Sequence, residues 1–159
     1  MIRTHLRCAA LLTMLCGCAD ARHVTVMTVL DHGNCRTDVS GVRVIDYAEL
    51  AQLRGARLLG MSDTDAAARP VHLIAIVPGV YPTTGYGLRL SDPEPPLSDP
   101  LLLHVTLSKP PQDAVLAQVL THPCLVVGID DAAVRRVRVD VDSTPLGEVD
   151  LGAAAPSSP

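Results

Sequence analysis

The chain has 159 residues, with 13 Lys and Arg against 17 Asp and Glu, for a formal charge of −4 at pH 7. This acidic balance argues against nucleic acid as a partner, because phosphate binding draws on clustered Lys and Arg. There is no Phe or Trp, and Tyr47, Tyr81 and Tyr86 are the only aromatics, so a core has to come from Leu, Val, Ile and Ala. A valine-rich set of that kind favours strands over helices.

At the N-terminus, Arg3 and Arg7 precede an apolar run over residues 9–15 broken only by Thr13, and Gly17 follows as a small residue. This is the pattern of a secretory signal, and the run is too short to cross the roughly 30 Å hydrocarbon core as a helix. Leu15-Cys16-Gly17-Cys18 also resembles the lipobox of bacterial lipoproteins. The resemblance implies cleavage after Gly17 and lipidation of Cys18, so that the membrane is a partner through a lipid anchor. Loss of residues 1–17 would leave 11 basic against 17 acidic side chains, a formal charge of −6. Ala19, rather than an aspartate, follows the lipidated position, which by likeness to lipoprotein sorting implies the outer membrane of the bacterial envelope.

Of five cysteines, Cys8 and Cys16 leave with the signal and Cys18 carries lipid. Cys35 and Cys124 remain, and in an oxidising compartment they read first as a disulfide, with two partly buried free thiols as the alternative. Such a bridge would close a loop of about 90 residues and contribute about 4 kcal/mol in the chain-entropy picture.

Along the mature chain, residues 24–29 are compatible with a strand that Asp31-His32-Gly33-Asn34 breaks. Residues 42–45 form a short strand candidate. A short helix is expected from Tyr47 to Leu53, with Asp46 as its cap, Glu49 three residues on, and Leu50 and Leu53 on one face with Tyr47. Residues 62–70 read as a loop. Residues 71–77 form a continuous apolar run with one histidine, the pattern of a buried central strand. Tyr86, Leu88 and Leu90 alternate with Gly87 and Arg89, and residues 91–100 hold four prolines and so form a loop. Residues 101–108 alternate again. Residues 115–120 and 125–129 are two further apolar segments expected as strands, and Val137, Val139 and Val141 alternate with Arg136, Arg138 and Asp140. The Pro, Ser and Ala content from Ser143 onward indicates a disordered tail.

The expectation is a mainly β fold, a small β-sandwich or barrel-like roll of six or seven strands with one short helix near its start. Its organisation would be a signal peptide over 1–17, a lipidated tether and N-terminal segment over 18–40, a β-domain over 41–142, and a disordered tail over 143–159.

The segment Gly79-Val80-Tyr81-Pro82-Thr83-Thr84-Gly85-Tyr86 places two of the three aromatics around a Pro and a Gly that fix a turn. One reading is a simple connection in which Gly85 supplies a backbone angle other residues resist. The other is a rigid partner-binding loop presenting Tyr81, since tyrosine offers large area at low entropic cost.

Gly79, Pro82, Thr83, Gly85 and Tyr86, followed by Leu103-His104-Val105, a proline at Pro110 or Pro111, Gln118, Thr121, Pro123 and Val126-Val127, resemble the C-terminal domain of PrcB-type protease complex subunits. The stretch concerned runs from about residue 71 to residue 141, and residues 19–70 fall outside it. The resemblance implies a non-catalytic accessory lipoprotein that helps an exported protease to assemble or stay stable. A lesser likeness joins Tyr81-Pro82-Thr83-Thr84-Gly85-Tyr86 to the first contact loop of chagasin-type peptidase inhibitors. The glycine-rich second loop and the Arg-Pro-aromatic third loop of those inhibitors have no counterpart here.

No Gly-x-Ser-x-Gly elbow, His-Glu-x-x-His motif or phosphate loop occurs, so no enzyme class is indicated. His32-x-x-Cys35 and His122-x-Cys124 have the residue types of a four-ligand zinc site, but a disulfide would occupy the same sulfurs; no metal or cofactor is expected. Arg135, Arg136 and Arg138 read as a solvated strand face. The functional expectation is a protein-binding envelope lipoprotein. The alternatives are a chagasin-like inhibitor and a structural lipoprotein with no specific partner.

Overall fold

Two four-stranded sheets face each other in a computed structural model that describes residues 22–35, 39–54 and 72–152. The signal sequence, Cys18 and the 62–70 loop lie outside the described residues. The first sheet has the order β1 (Val26–His32), β6 (Cys124–Ile129), β3 (His72–Val77), β2 (Gly41–Ile45), with every neighbouring pair antiparallel. The second has the order β4 (Gly87–Leu90), β5 (Leu101–Ser108), β7 (Arg136–Val141), β8 (Thr144–Asp150), where β5 and β7 run parallel and the outer pairs antiparallel. The edges β2 and β8 approach each other on one side of the sandwich, and β1 and β4 on the other. The mainly β expectation, with one short helix near the start, is met.

Between the sheets, Ile74 and Ile76 of β3 and Leu125, Val127 and Ile129 of β6 pack against Leu88, Leu101, Leu103, Val105, Val137 and Val139. The alternate residues of the first sheet point the other way. Leu73, Ala75, Val77, Cys124 and Val126 form a second cluster with Leu30, Cys35 and Ile45, closed over by Leu50 and Leu53 of helix α1 (Tyr47–Arg54). Burial on both faces explains why β3 and β6 are apolar at nearly every position. Helix α1 starts where expected: Asp46 Oδ1 accepts the Glu49 backbone N–H at 2.7 Å, the side-chain cap that a helix N-terminus needs. Glu49 also pairs with Arg43 of β2.

Cys35 and Cys124 are joined in a disulfide with Cα atoms 5.9 Å apart, across 89 residues of chain. The Cys35 N–H donates to the His122 carbonyl at 2.8 Å, and the His122 N–H donates to Asn34 Oδ1 at 3.0 Å. The bridge and these two bonds tie the end of β1 to the start of β6.

Three expectations need correction. Within residues 18–40, read as a tether and N-terminal segment with a possible strand over 24–29, residues 26–32 form the edge strand β1, which continues past Asp31 to His32 through a register shift between Thr28 and Leu30. The bulge moves the strand by one residue, and Asp31 and His32 stay in the ladder, so the break falls at Gly33-Asn34. Residues 144–150, placed in a disordered tail, form β8. Asp142 and Ser143 both adopt positive φ, 48° and 67°, the backbone of a tight hairpin turn. Leu146, Val149 and Leu151 of the returning chain pack on the core. Pro145 is tolerated because β8 is an edge strand. Finally, residues 115–120 form no strand. They cross one end of the molecule between β5 in one sheet and β6 in the other, and neither sheet offers them a ladder.

Candidate functional site

The strand directions give the sandwich two distinct ends. Strands β1, β3, β5 and β7 all finish at the end where β6 begins, and there the chain folds into two crossing segments, residues 78–86 and 109–123. Tyr81 and Thr121 exchange both backbone hydrogen bonds, at 2.9 and 2.8 Å. Thr121, whose side chain is buried, donates its hydroxyl to the Thr83 carbonyl at 2.8 Å. The Thr84 N–H donates to the Ala117 carbonyl at 3.3 Å. Gly85 has φ +93°, and a Cβ there would stand 2.9 Å from Pro110 Cβ. Only glycine meets both the left-handed backbone and the close approach.

Within this arrangement Tyr81 is braced by its own loop. Its ring is half-buried and lies against Tyr86, with centroids 4.4 Å apart and a 30° tilt. Burial, followed by the neighbouring Tyr86 and Asp142, holds its phenol above the ordinary value of 10.0. Tyr81 is therefore a stacked support within the loop more than a side chain standing free. Pro82 and Gly85 are exposed, while Thr83, Thr84 and Tyr86 are half-buried, so the loop is braced by its partner segment.

The apolar surface is supplied by residues the motif did not single out. Val80 is 54% exposed, and on the partner segment Val115 is 102%, Val119 49% and Leu120 70% exposed. Isolated exposed apolar side chains are ordinary. Four of them on two crossed, hydrogen-bonded segments form a concentration of the kind that marks interaction surfaces. The sequence signal for the second segment was its flanking by Pro110-Pro111 and Pro123, which isolates an apolar run from any ladder. Beside this end, Asp31, Gly87, Leu88, Arg89, Thr106 and Ser108 line an open cleft of about 350 Å3.

The remaining candidates resolve simply. With Cys35 and Cys124 bonded to each other, their sulfurs are not free as thiolate ligands, and the His32 Nδ1 accepts the Asn34 N–H at 3.0 Å. Among the described residues no group of His, Cys, Asp or Glu is arranged to hold a metal ion. His104 is exposed; His72, half-buried at the start of β3, has its pKa lowered by burial. Arg136 pairs with Asp99 and Glu148, and Arg138 with Asp140, as on a solvated strand face. No described helix is long and apolar enough to cross a membrane.

With this geometry in place, comparison with protein families shows a match to the family described as PrcB C-terminal, over residues 72–130. The match begins at β3 and ends just after β6, so both crossed segments and the Tyr81–Tyr86 stack fall inside it. It stops short of β7, where the resemblance in the sequence was drawn to residue 141, and leaves β1, β2, α1 and β8 outside. Comparisons with curated proteins and with solved structures return no match.

Proposed function

We propose that this protein is a non-catalytic envelope lipoprotein, held by lipid on Cys18, that binds an exported protease as an accessory subunit through the end carrying residues 78–86 and 109–123. The observation that carries this reading is the apolar group Val80, Val115, Val119 and Leu120 within the span that matches PrcB C-terminal. Apolar side chains held on rigid backbone bind at low conformational cost, and the Tyr81 to Thr121 bonds and the disulfide supply that rigidity. The lipobox likeness and Ala19 support an outer-membrane location.

The test is affinity capture from crosslinked cells, comparing the unaltered protein with Leu120→Asp, whose side chain is already exposed. Recovery of an exported protease with the unaltered protein, lost with Leu120→Asp at unchanged melting temperature, is the expected outcome. Recovery of envelope lipid alone would leave a structural lipoprotein with no specific partner. The anchor is checked separately: Cys18→Ser should move the protein from the membrane pellet to the soluble envelope fraction, and retention in the pellet would overturn lipidation.

A further inference from the structure

The apolar end and the point where the chain leaves toward Cys18 are at opposite ends of the sandwich. At its start, Val24 and Val26 donate their N–H groups to the carbonyls of Pro95 and Pro93 at 2.9 and 2.8 Å, and the Leu97 N–H donates to the Arg22 carbonyl at 2.7 Å. The Arg22 side chain adds an ion pair with Asp131 at 2.8 Å. Arg22 is thereby fastened beside the end of β6, while β1 runs away from it to His32, opposite Cys124. Ten residues of near-extended chain separate these points by about 30 Å. From Cys18 to Arg22 is four residues, a reach of at most about 14 Å.

We infer that the domain is oriented at the membrane, with the Arg22, Pro95 and Asp131 end toward the bilayer and the group Val80, Val115, Val119 and Leu120 directed away from it. This rests on the proposed anchor at Cys18 and narrows what the apolar end receives. A tether of about 14 Å keeps the Arg22 end near the bilayer, so a domain about 30 Å long cannot stand inverted on its far end; only by lying flat would that end touch the membrane. With the domain upright, the occupant is a protein in the aqueous phase that presents apolar side chains above the membrane surface. The lipid of the anchoring membrane, the other ready solvent for such side chains, is met only if the domain lies flat, which a blue shift at the far end would reveal. Fixed height would also restrict partners to those whose binding surface stands at that distance, the geometric condition for tethered binding.

The absence of Trp from the chain permits a direct measurement. Full-length protein is expressed with its signal, recovered from membranes in detergent and reconstituted into phosphatidylcholine vesicles containing a dansyl-headgroup lipid. Energy transfer is compared between Glu94→Trp, at the Arg22 end, and Val115→Trp, at the far end; both side chains are exposed. Ala133→Trp and Leu120→Trp form a second pair should either of the first misfold. The inference expects loss of most indole emission at 94 or 133 and little loss at 115 or 120, with no blue shift at the latter positions. Equal or reversed transfer, or a blue shift at 115 or 120, overturns the orientation while leaving the anchor intact. Intact mass distinguishes the other failure: protein without lipid on Cys18 overturns the anchor and the orientation together.

Discussion

The two sheets are built from strands of similar length and similar valine content, yet they read differently. In the first, β3 and β6 are buried at almost every position, because the sandwich partner covers one face and α1, Leu30 and the disulfide cover the other. In the second, β5 and β7 alternate: Leu101, Leu103, Val105, Val137 and Val139 are buried, while His104, Thr106, Arg136 and Arg138 face solvent. Strand chemistry is therefore a count of layers. A strand with a neighbour on each face needs apolar residues throughout, and a strand with one neighbour needs them at every second position. The same contrast locates mechanical strength, since the covalent staple lies in the doubly covered sheet and the ion pairs of Arg136 and Arg138 on the open face of the other.

The largest expected effect tests that staple. Replacing Cys35 and Cys124 together by Ala should lower unfolding free energy by about 4 kcal/mol, read from urea denaturation. An unchanged midpoint would mean that α1 and the second cluster hold the outer face without help. Next, Ile74→Ala, at a fully buried position shared by β3 and the inter-sheet core, should cost about 3 kcal/mol. A cost below about 1 kcal/mol would show that the sandwich interior relaxes around the deletion. On the open face of the second sheet, Arg138→Ala should change stability by no more than about 0.5 kcal/mol, because exposed ion pairs contribute little. A larger loss would make that face more than solvated surface and weaken the contrast between the sheets.

The smallest effect concerns His72. Burial lowers its pKa below 6.5 in the folded protein, so the unfolded chain takes up the proton first as pH falls. The neutral form supports folding above pH 6.5, and that contribution is lost as pH falls through the folded value. Denaturation midpoints measured from pH 8 to pH 5 should decline less in His72→Gln than in the unaltered protein. Identical slopes would place the first turn of β3 in freer contact with water.

Much of this was legible because it depends on local periodicity or on counting. The run over 71–77 and the alternation at 101–108 and 137–141 carry their layer assignments in the spacing of apolar residues. Asp46 with Glu49 marks the helix start through the reach of one carboxylate to one backbone N–H. Of the five cysteines, three fall in the signal-like N-terminus, and the two that remain suggest a bridge by arithmetic. The family likeness was legible over β3 to β6 for a related reason, since Gly85 answers to a positive φ and a close approach to Pro110, and Thr121 supplies a hydroxyl to the Thr83 carbonyl.

Other features depend on where distant segments meet, and no local pattern encodes that. β8 was hidden because its turn uses Asp142 and Ser143 at positive φ in place of glycine, and because Leu146, Val149 and Leu151 reveal an apolar face only against β7 and the core. Residues 115–120 have a strand's composition but no available ladder, so pairing, a property of two segments, set their exposure. The stacking of Tyr81 on Tyr86 likewise needs residue 121 to close the loop. The strand-rich class, the cap of α1 and the pairing of Cys35 with Cys124 follow from side-chain chemistry, short-range spacing and counting, with no knowledge of distant contacts. Tertiary structure alone decided which apolar residues were left in water and that they lie at the end opposite Arg22, because burial and direction arise only when both sheets have formed.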